Sequence, residues 1–176
     1  MERILVVDDE KSMRDFLSIM LKKSGYDVTT ATDGEEANKI LHKDIFDLVI
    51  TDLKMPKVGG LEVLKTVKEL SPDTVVILIT AFASTETAVE AMQQGAYDYI
   101  TKPFQNDEMK IRIRKALEKR RLSAENLLLR NALEGSAVFE NIIGKSERMD
   151  KVFEIVKKVS DSMSNILIYG ESGTGK

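Results

Sequence analysis

Five short apolar runs, separated by longer amphipathic stretches, constrain this chain more than any other feature. RILVV (3–7), DVTTA (27–31), DLVIT (47–51), TVVILIT (74–80) and YDYI (97–100) are rich in β-branched residues, and most are apolar throughout. That pattern belongs to strands buried on both faces. Between them, apolar residues recur at helical spacing over 11–24, 34–43, 60–70 and 84–94. In the first of these, Met13, Phe16, Leu17, Met20 and Leu21 fall on one stripe, and Gly25 supplies a stop.

Strands that alternate with helices build right-handed βαβ units around a parallel sheet covered on both faces. The expected fold class is therefore α/β and flavodoxin-like, with strand order 2-1-3-4-5. A longer helical stretch runs from Asn106 to Glu134, with Gly135 as its expected stop. Its first half should pack on the sheet as a fifth helix, and its second half outruns the domain. A helix over 146–160 follows, with Met149, Val152, Phe153, Val156 and Val159 as its stripe, and then a strand, NILIYG, at 165–170. The resulting division is a domain at 1–121, a helical linker at 122–137 and the start of a further domain at 138–176.

Composition removes several classes of function. The 176 residues include no cysteine, which excludes a disulfide framework, a thiolate metal site and a cysteine nucleophile. A single histidine, His42, excludes multi-histidine metal sites and is expected on a solvated helix face. No apolar run approaches the roughly 18 residues of a membrane span. The opening MERILVVDDE turns acidic too soon for a signal peptide, so a cytoplasmic protein is expected. Net charge is −6 over residues 1–104 and +4 over 105–121. The basic run lacks interleaved aromatics and reads as a solvated helix face rather than a nucleic-acid footprint.

Open α/β sheets bind ligands beyond the carboxyl ends of their strands, where strand order reverses. Here the first strand is expected to end in Asp8-Asp9, the third in Asp52 and the fourth in Thr80, and the fifth is followed by Lys102-Pro103. Neighbouring strands lie about 4.8 Å apart, so three carboxylates, a hydroxyl and an ammonium converge on one rim. Two carboxylates about 5 Å apart at an effective dielectric of about 20 repel by roughly 3 kcal/mol. A hard divalent cation relieves that, and Mg²⁺ in particular accepts phosphate oxygens. A carboxylate also serves as a nucleophile through an acyl phosphate, and Asp52 is the most central. Taken singly, Asp9 reads equally as a helix N-cap and Asp52 as a turn cap.

The first 121 residues resemble a two-component receiver domain. The matching pieces are VVDDE at 6–10, Asp52 followed by Pro56 and Gly60, Thr80-Ala81, and KPF at 102–104. The resemblance implies phosphorylation of Asp52 by a histidine kinase. It implies Mg²⁺ held by Asp8, Asp9, Asp52 and the backbone carbonyl of Lys54, and a phosphoryl group bound by Thr80 and Lys102. It also implies a cis peptide before Pro103, and Tyr99 with Thr80 as switch residues. Lys54 and Phe82 occupy positions that vary within the family.

The chain closes on NILIYGESGTGK, a strand followed by a GxxxxGK phosphate-cradling motif: Gly170, Glu171, Ser172, Gly173, Thr174, Gly175 and Lys176. Residues 138–176 resemble the opening of the ATPase domain of sigma-54-dependent transcription activators of the nitrogen-regulator type. That resemblance implies ATP, sigma-54 RNA polymerase and DNA as ligands of the longer parent, with no useful ATP binding expected here. Ile113, Leu117, Arg120, Ala124, Leu127 and Asn131, at three- and four-residue steps, form a heptad seam broken by Arg120 and Asn131, and a homodimer is expected along it.

The favoured reading is a self-phosphorylating acceptor rather than an enzyme with turnover. A phosphatase working through an aspartyl phosphate usually has a second aspartate two residues after the nucleophile, where Lys54 stands here. A stand-alone ATPase lacks the rest of its site. A stand-alone phosphorylation-dependent interaction module remains the alternative.

Overall fold

The computed structural model describes residues 1–81 and 84–137, and beyond them residues 149, 151, 152, 155, 156, 167 and 169. The chain divides into two compact units, Met1–Leu128 and Leu129–Lys176.

The first unit alternates strand and helix throughout: β1 (Arg3–Val7), α1 (Lys11–Lys23), β2 (Asp27–Ala31), α2 (Gly34–Leu41), β3 (Leu48–Asp52), α3 (Gly60–Leu70), β4 (Val75–Thr80), α4 (Thr85–Gln93), β5 (Asp98–Thr101) and α5 (Asn106–Ala137). All pairings are parallel, and the sheet order is β2-β1-β3-β4-β5, as the alternation predicts. The central strands β1, β3 and β4 are almost wholly buried, which is why their sequences are apolar on both faces.

Side chains alternate between two cores. Ile4, Val6, Ile50, Ile77 and Ile79 pack with Leu17 and Leu21 of α1 and with Met109 and Ile113 of α5. Leu5, Val7, Val49 and Leu78 pack with Ala37 of α2, Val63 and Leu64 of α3, and Ala91 of α4. Both edge strands are short and carry charge. Asp27, at the start of β2, lies 3.8 Å from Arg3, and Asp98, at the start of β5, pairs with Arg112 of α5 at 2.6 Å.

β3 ends on Asp52, as expected, because the Asp52 backbone still pairs with β4. Two expectations need correction. α5 continues through Gly135 to Ala137; a helix interior tolerates glycine at a cost of about 1 kcal/mol. The seam proposed from Ile113 onward does not start there. Ile113 and Leu117 are buried in the first core, so the sheet takes the apolar stripe up to Arg120. The exposed leucines of α5 lie past that point, at Leu122, Leu128 and Leu129.

In the second unit, Met149, Lys151, Val152, Ile155 and Val156 are helical, inside the expected 146–160 helix. Leu167 and Tyr169 are not in a strand, and the other residues of the expected 165–170 strand lie outside the described residues.

The corrected seam gives a direct test. Ile113→Ala should destabilise the first unit by about 2–5 kcal/mol in urea unfolding. Leu122→Ala should stay within about 0.5 kcal/mol of the parent. Equal losses would mean that the core does not end before residue 122.

Candidate functional site

The site forms where β1, β3, β4 and β5 end together. Asp8 follows β1, and its backbone N–H still reaches the Ala31 carbonyl of β2. Asp52 closes β3. Each aspartate accepts a hydrogen bond from the backbone N–H two residues on: Asp8 Oδ1 from Glu10 (2.8 Å) and Asp52 Oδ2 from Lys54 (2.8 Å). Such Asx turns hold a carboxylate at a strand end. They leave the second oxygen of each aspartate to the same donor. Lys102 Nζ lies 2.9 Å from Asp8 Oδ2 and 2.8 Å from Asp52 Oδ1.

Lys102 reaches that point because its backbone N–H binds the Thr80 carbonyl at 2.7 Å, continuing the β4–β5 ladder one residue past the strand. The Lys102–Pro103 peptide is cis. The three side chains are well shielded: Asp8 is 2%, Asp52 8% and Lys102 17% exposed. Gly60 makes room. A Cβ there would overlap the Asp52 carbonyl oxygen, so only glycine lets α3 begin this close to the nucleophile candidate.

Burial pushes the Asp8 pKa up, and the hydrogen bond and charge of Lys102 do not fully offset it. Burial works against the Lys102 ammonium too, but hydrogen bonds to Asp52 and Asp8 outweigh it and hold its pKa above the ordinary lysine value. One ammonium shared by two buried carboxylates thus leaves a deficit of positive charge. The donors are all hard oxygens, a set that suits a cation such as Mg²⁺.

The remaining predicted residues fall around this pair. Thr80 is buried at the end of β4. Lys54 lies in the β3–α3 connection. Asp9 is exposed, and among the described residues no three acidic or histidine side chains are grouped tightly enough to hold a metal. Asp9 is also not the cap of α1; that position is Glu10, without a side-chain cap. Tyr99 is half-buried on β5, and its hydroxyl shares a hydrogen bond with Thr87 Oγ1 of α4 at 3.2 Å. His42 caps the end of α2 and is exposed, with Nδ1 2.7 Å from the Asn38 carbonyl. Phe82 and the motif Gly170–Lys176 lie outside the described residues.

Arg14 was not anticipated. Its Nη1 donates to the Asp8 carbonyl at 2.7 Å, fixing the peptide that carries Asp9. The available signal was a basic residue in the first turn of α1, on the face that looks back at the strand end. Thr87 was missed because a hydroxyl on a helix carries no pattern of its own.

The charge argument can be tested on this pair alone. Lys102→Met removes the shared ammonium, so the Asp8 carboxyl pKa should rise further in a ¹³C carboxyl titration. An unchanged Asp8 titration would show that Lys102 is not its counter-ion.

Residues 4–114 match the response regulator receiver domain, and residues 142–176 match the sigma-54 interaction domain. The regulatory protein AtoC of Escherichia coli (strain K12) is 37% identical over 174 residues, covering 99% of this chain and 38% of AtoC. The chain therefore spans less than two-fifths of that curated relative. The beryllofluoride-activated NtrC4 receiver domain dimer is 40% identical, covers 68% of this chain and 99% of its own, and superposes with a TM-score of 0.65. Response regulator protein TrrA from Thermotoga maritima, in complex with Mg(2+)-BeF, is 39% identical over 66% of this chain and 99% of its own, with a TM-score of 0.61. With the strand order, the paired aspartates and the bridging lysine all inside the matched span, the chain belongs to the response regulator receiver domain family.

Proposed function

We propose that Asp52 is the phosphoacceptor of a two-component system and that its phosphorylation governs a sigma-54-dependent output. The observation that carries this is the Lys102 ammonium shared between Asp8 and Asp52 in a shielded pocket. The Mg(2+)-BeF complex of TrrA supports the same reading by likeness.

In this reading Asp8, Asp52 and the Lys54 carbonyl would hold Mg²⁺ together with Asp9, which is exposed and would have to come inward, since no three acidic side chains among the described residues are grouped tightly enough as they stand. The metal, when bound, neutralises charge on the transferring phosphoryl group. An Asp52 carboxylate oxygen attacks the phosphorus of a phosphohistidine on the kinase. The P–N bond breaks, its electron pair returns to the imidazole, and an acyl phosphate forms on Asp52. Lys102 then turns from carboxylate to phosphoryl oxygens, joined by the Thr80 hydroxyl. Arg14 positions Asp9 through the Asp8 carbonyl.

Output follows from redistribution around Thr80. Tyr99, tied to Thr87 on α4, is the side chain that reports a change at Thr80 to the α4–β5–α5 face. From there α5 leads into the linker. ATP binding through Gly170–Lys176 and contacts with sigma-54 polymerase and DNA belong to the longer relatives. The chain acts as a substrate of its own phosphorylation rather than as an enzyme with turnover. Among the described residues no helix is long and apolar enough to cross a membrane. The exposed Leu122 and Leu129 are one heptad apart with Asn126 between them, a seam suited to a homodimer.

Incubation with acetyl phosphate and Mg²⁺ should add one phosphoryl group to the intact mass, and Asp52→Asn should abolish the gain. An unchanged wild-type mass, with Mg²⁺ binding shown separately, would remove the central claim. In sedimentation, Leu122→Lys with Leu129→Lys should weaken self-association by about tenfold or more. Unaltered dimers would move the interface off α5.

A further inference from the structure

The end of the sheet opposite the acid pair carries a second concavity. It is a groove of about 500 Å³ between the end of α3, the starts of β4 and β5, and the part of α5 that runs to Leu128. Small-molecule pockets usually occupy about 300–1,000 Å³. The floor is apolar: Val75 and Ala96 are buried and Tyr97 is half-buried. Three cations border it, Lys68, Lys119 and Arg120, against the single carboxylate of Asp73.

Each cation is incompletely served. Lys68 Nζ donates to the backbone carbonyls of Pro72 (3.1 Å) and Thr74 (2.6 Å), which satisfy its hydrogen bonds without cancelling its charge. Burial lowers its pKa, with Asp73 opposing. The Lys119 ammonium lies 5.2 Å from the centre of the Tyr97 ring, a cation over a flat aromatic face. Arg120 gives Nη1 to Asp47, while its Nε is buried with no acceptor among the described residues. Asp47 also accepts from the Arg3 backbone N–H at 2.7 Å, so Arg120 shares its carboxylate with a second donor.

We propose that this groove binds a small organic anion, with a flat apolar body against Tyr97, Ala96 and Val75 and its anionic group among Lys68, Lys119 and Arg120. A bare inorganic ion would leave the apolar floor unused. A neutral apolar ligand would desolvate the cations without pairing them. An organic anion satisfies both. Because the groove is walled on one side by α3 and the sheet and on the other by α5 beyond Arg120, the occupant would brace α5 against the receiver. It would act at a distance from Asp52 and independently of its phosphorylation.

The probe is 2-naphthalenesulfonate, an arene monoanion with no phosphoryl group to transfer, titrated into the ¹⁵N-labelled full chain. Saturable shifts are expected at the amides of Ala96, Tyr97 and Ser123. Lys119→Gln, at an exposed site on α5, should weaken binding by roughly tenfold, and Lys68→Gln similarly. Asp52→Asn should bind as the parent does, which separates this site from the acid pair. Neutral 2-naphthalenemethanol should give no saturable shifts. The proposal is overturned by an absence of saturable shifts into the millimolar range, by affinity unchanged from the parent in both lysine variants, or by shifts centred on Asp8 and Lys102. Identical shifts with sodium sulfate would also overturn it, marking an adventitious ion only.

Discussion

The Lys102 ammonium, hydrogen-bonded at once to Asp8 and Asp52, is the interaction on which the architecture of the site depends. Two carboxylates this well buried would otherwise repel across the gap between β1 and β3. The lysine reaches them only because β5 ends level with β4, and because β3 lies between β4 and β1 in the sheet. The strand order is thus also a charge arrangement: a parallel sheet puts every strand's carboxyl end on one rim, and order 2-1-3-4-5 puts the acids in its middle. Gly60 completes the geometry by allowing α3 to start directly behind Asp52.

Much of this was legible in the residues. The β-branched runs located all five strands to within a residue. In β1, β3 and β4 burial on both faces leaves few polar positions to confuse the pattern, whereas β2 and β5 were placed by their β-branched and aromatic residues between turn signals. Asp8, Asp52, Thr80 and Lys102 could be found because each sits at or just past the end of an apolar run. What the sequence concealed was of two physical kinds. Arg14 binding a backbone carbonyl and Thr87 meeting Tyr99 are contacts between elements, and no local pattern encodes them. Ile113 and Leu117 show the other kind: a helix stripe that covers a sheet and a stripe that covers a second helix have nearly the same period. Only the position of the sheet edge decides which partner takes the residues. Asp9 stands between these cases, since its type and place were readable while its exposure was not.

The two ends of the sheet carry opposite electrostatic problems. At the carboxyl ends, two buried acids share the Lys102 ammonium. At the amino ends, Lys68, Lys119 and Arg120 face carbonyls, a ring and one shared carboxylate. α5 spans both, with Arg112 pairing to Asp98 near its start and Arg120 to Asp47 farther along. These two ion pairs hold the helix along the receiver before it continues past the domain. Both pairs are part-buried rather than exposed, and both tie α5 to the start of a strand, Asp98 of β5 and Asp47 just before β3, which fixes the direction of the helix.

The margins of the sheet carry a consequence for how the molecule meets other chains. Open sheets present unpaired peptide groups at their outer strands, which invite pairing with any extended segment and lead toward aggregation. Here the outer strands span only five and four residues. Each begins with an aspartate engaged by an arginine, Asp27 with Arg3 and Asp98 with Arg112. A strand added at either margin would gain only a handful of hydrogen bonds, alongside charged side chains. Addition of strands is therefore disfavoured on both sides, and recognition is directed to helical faces, where contacts reverse readily and a transient signal can be erased.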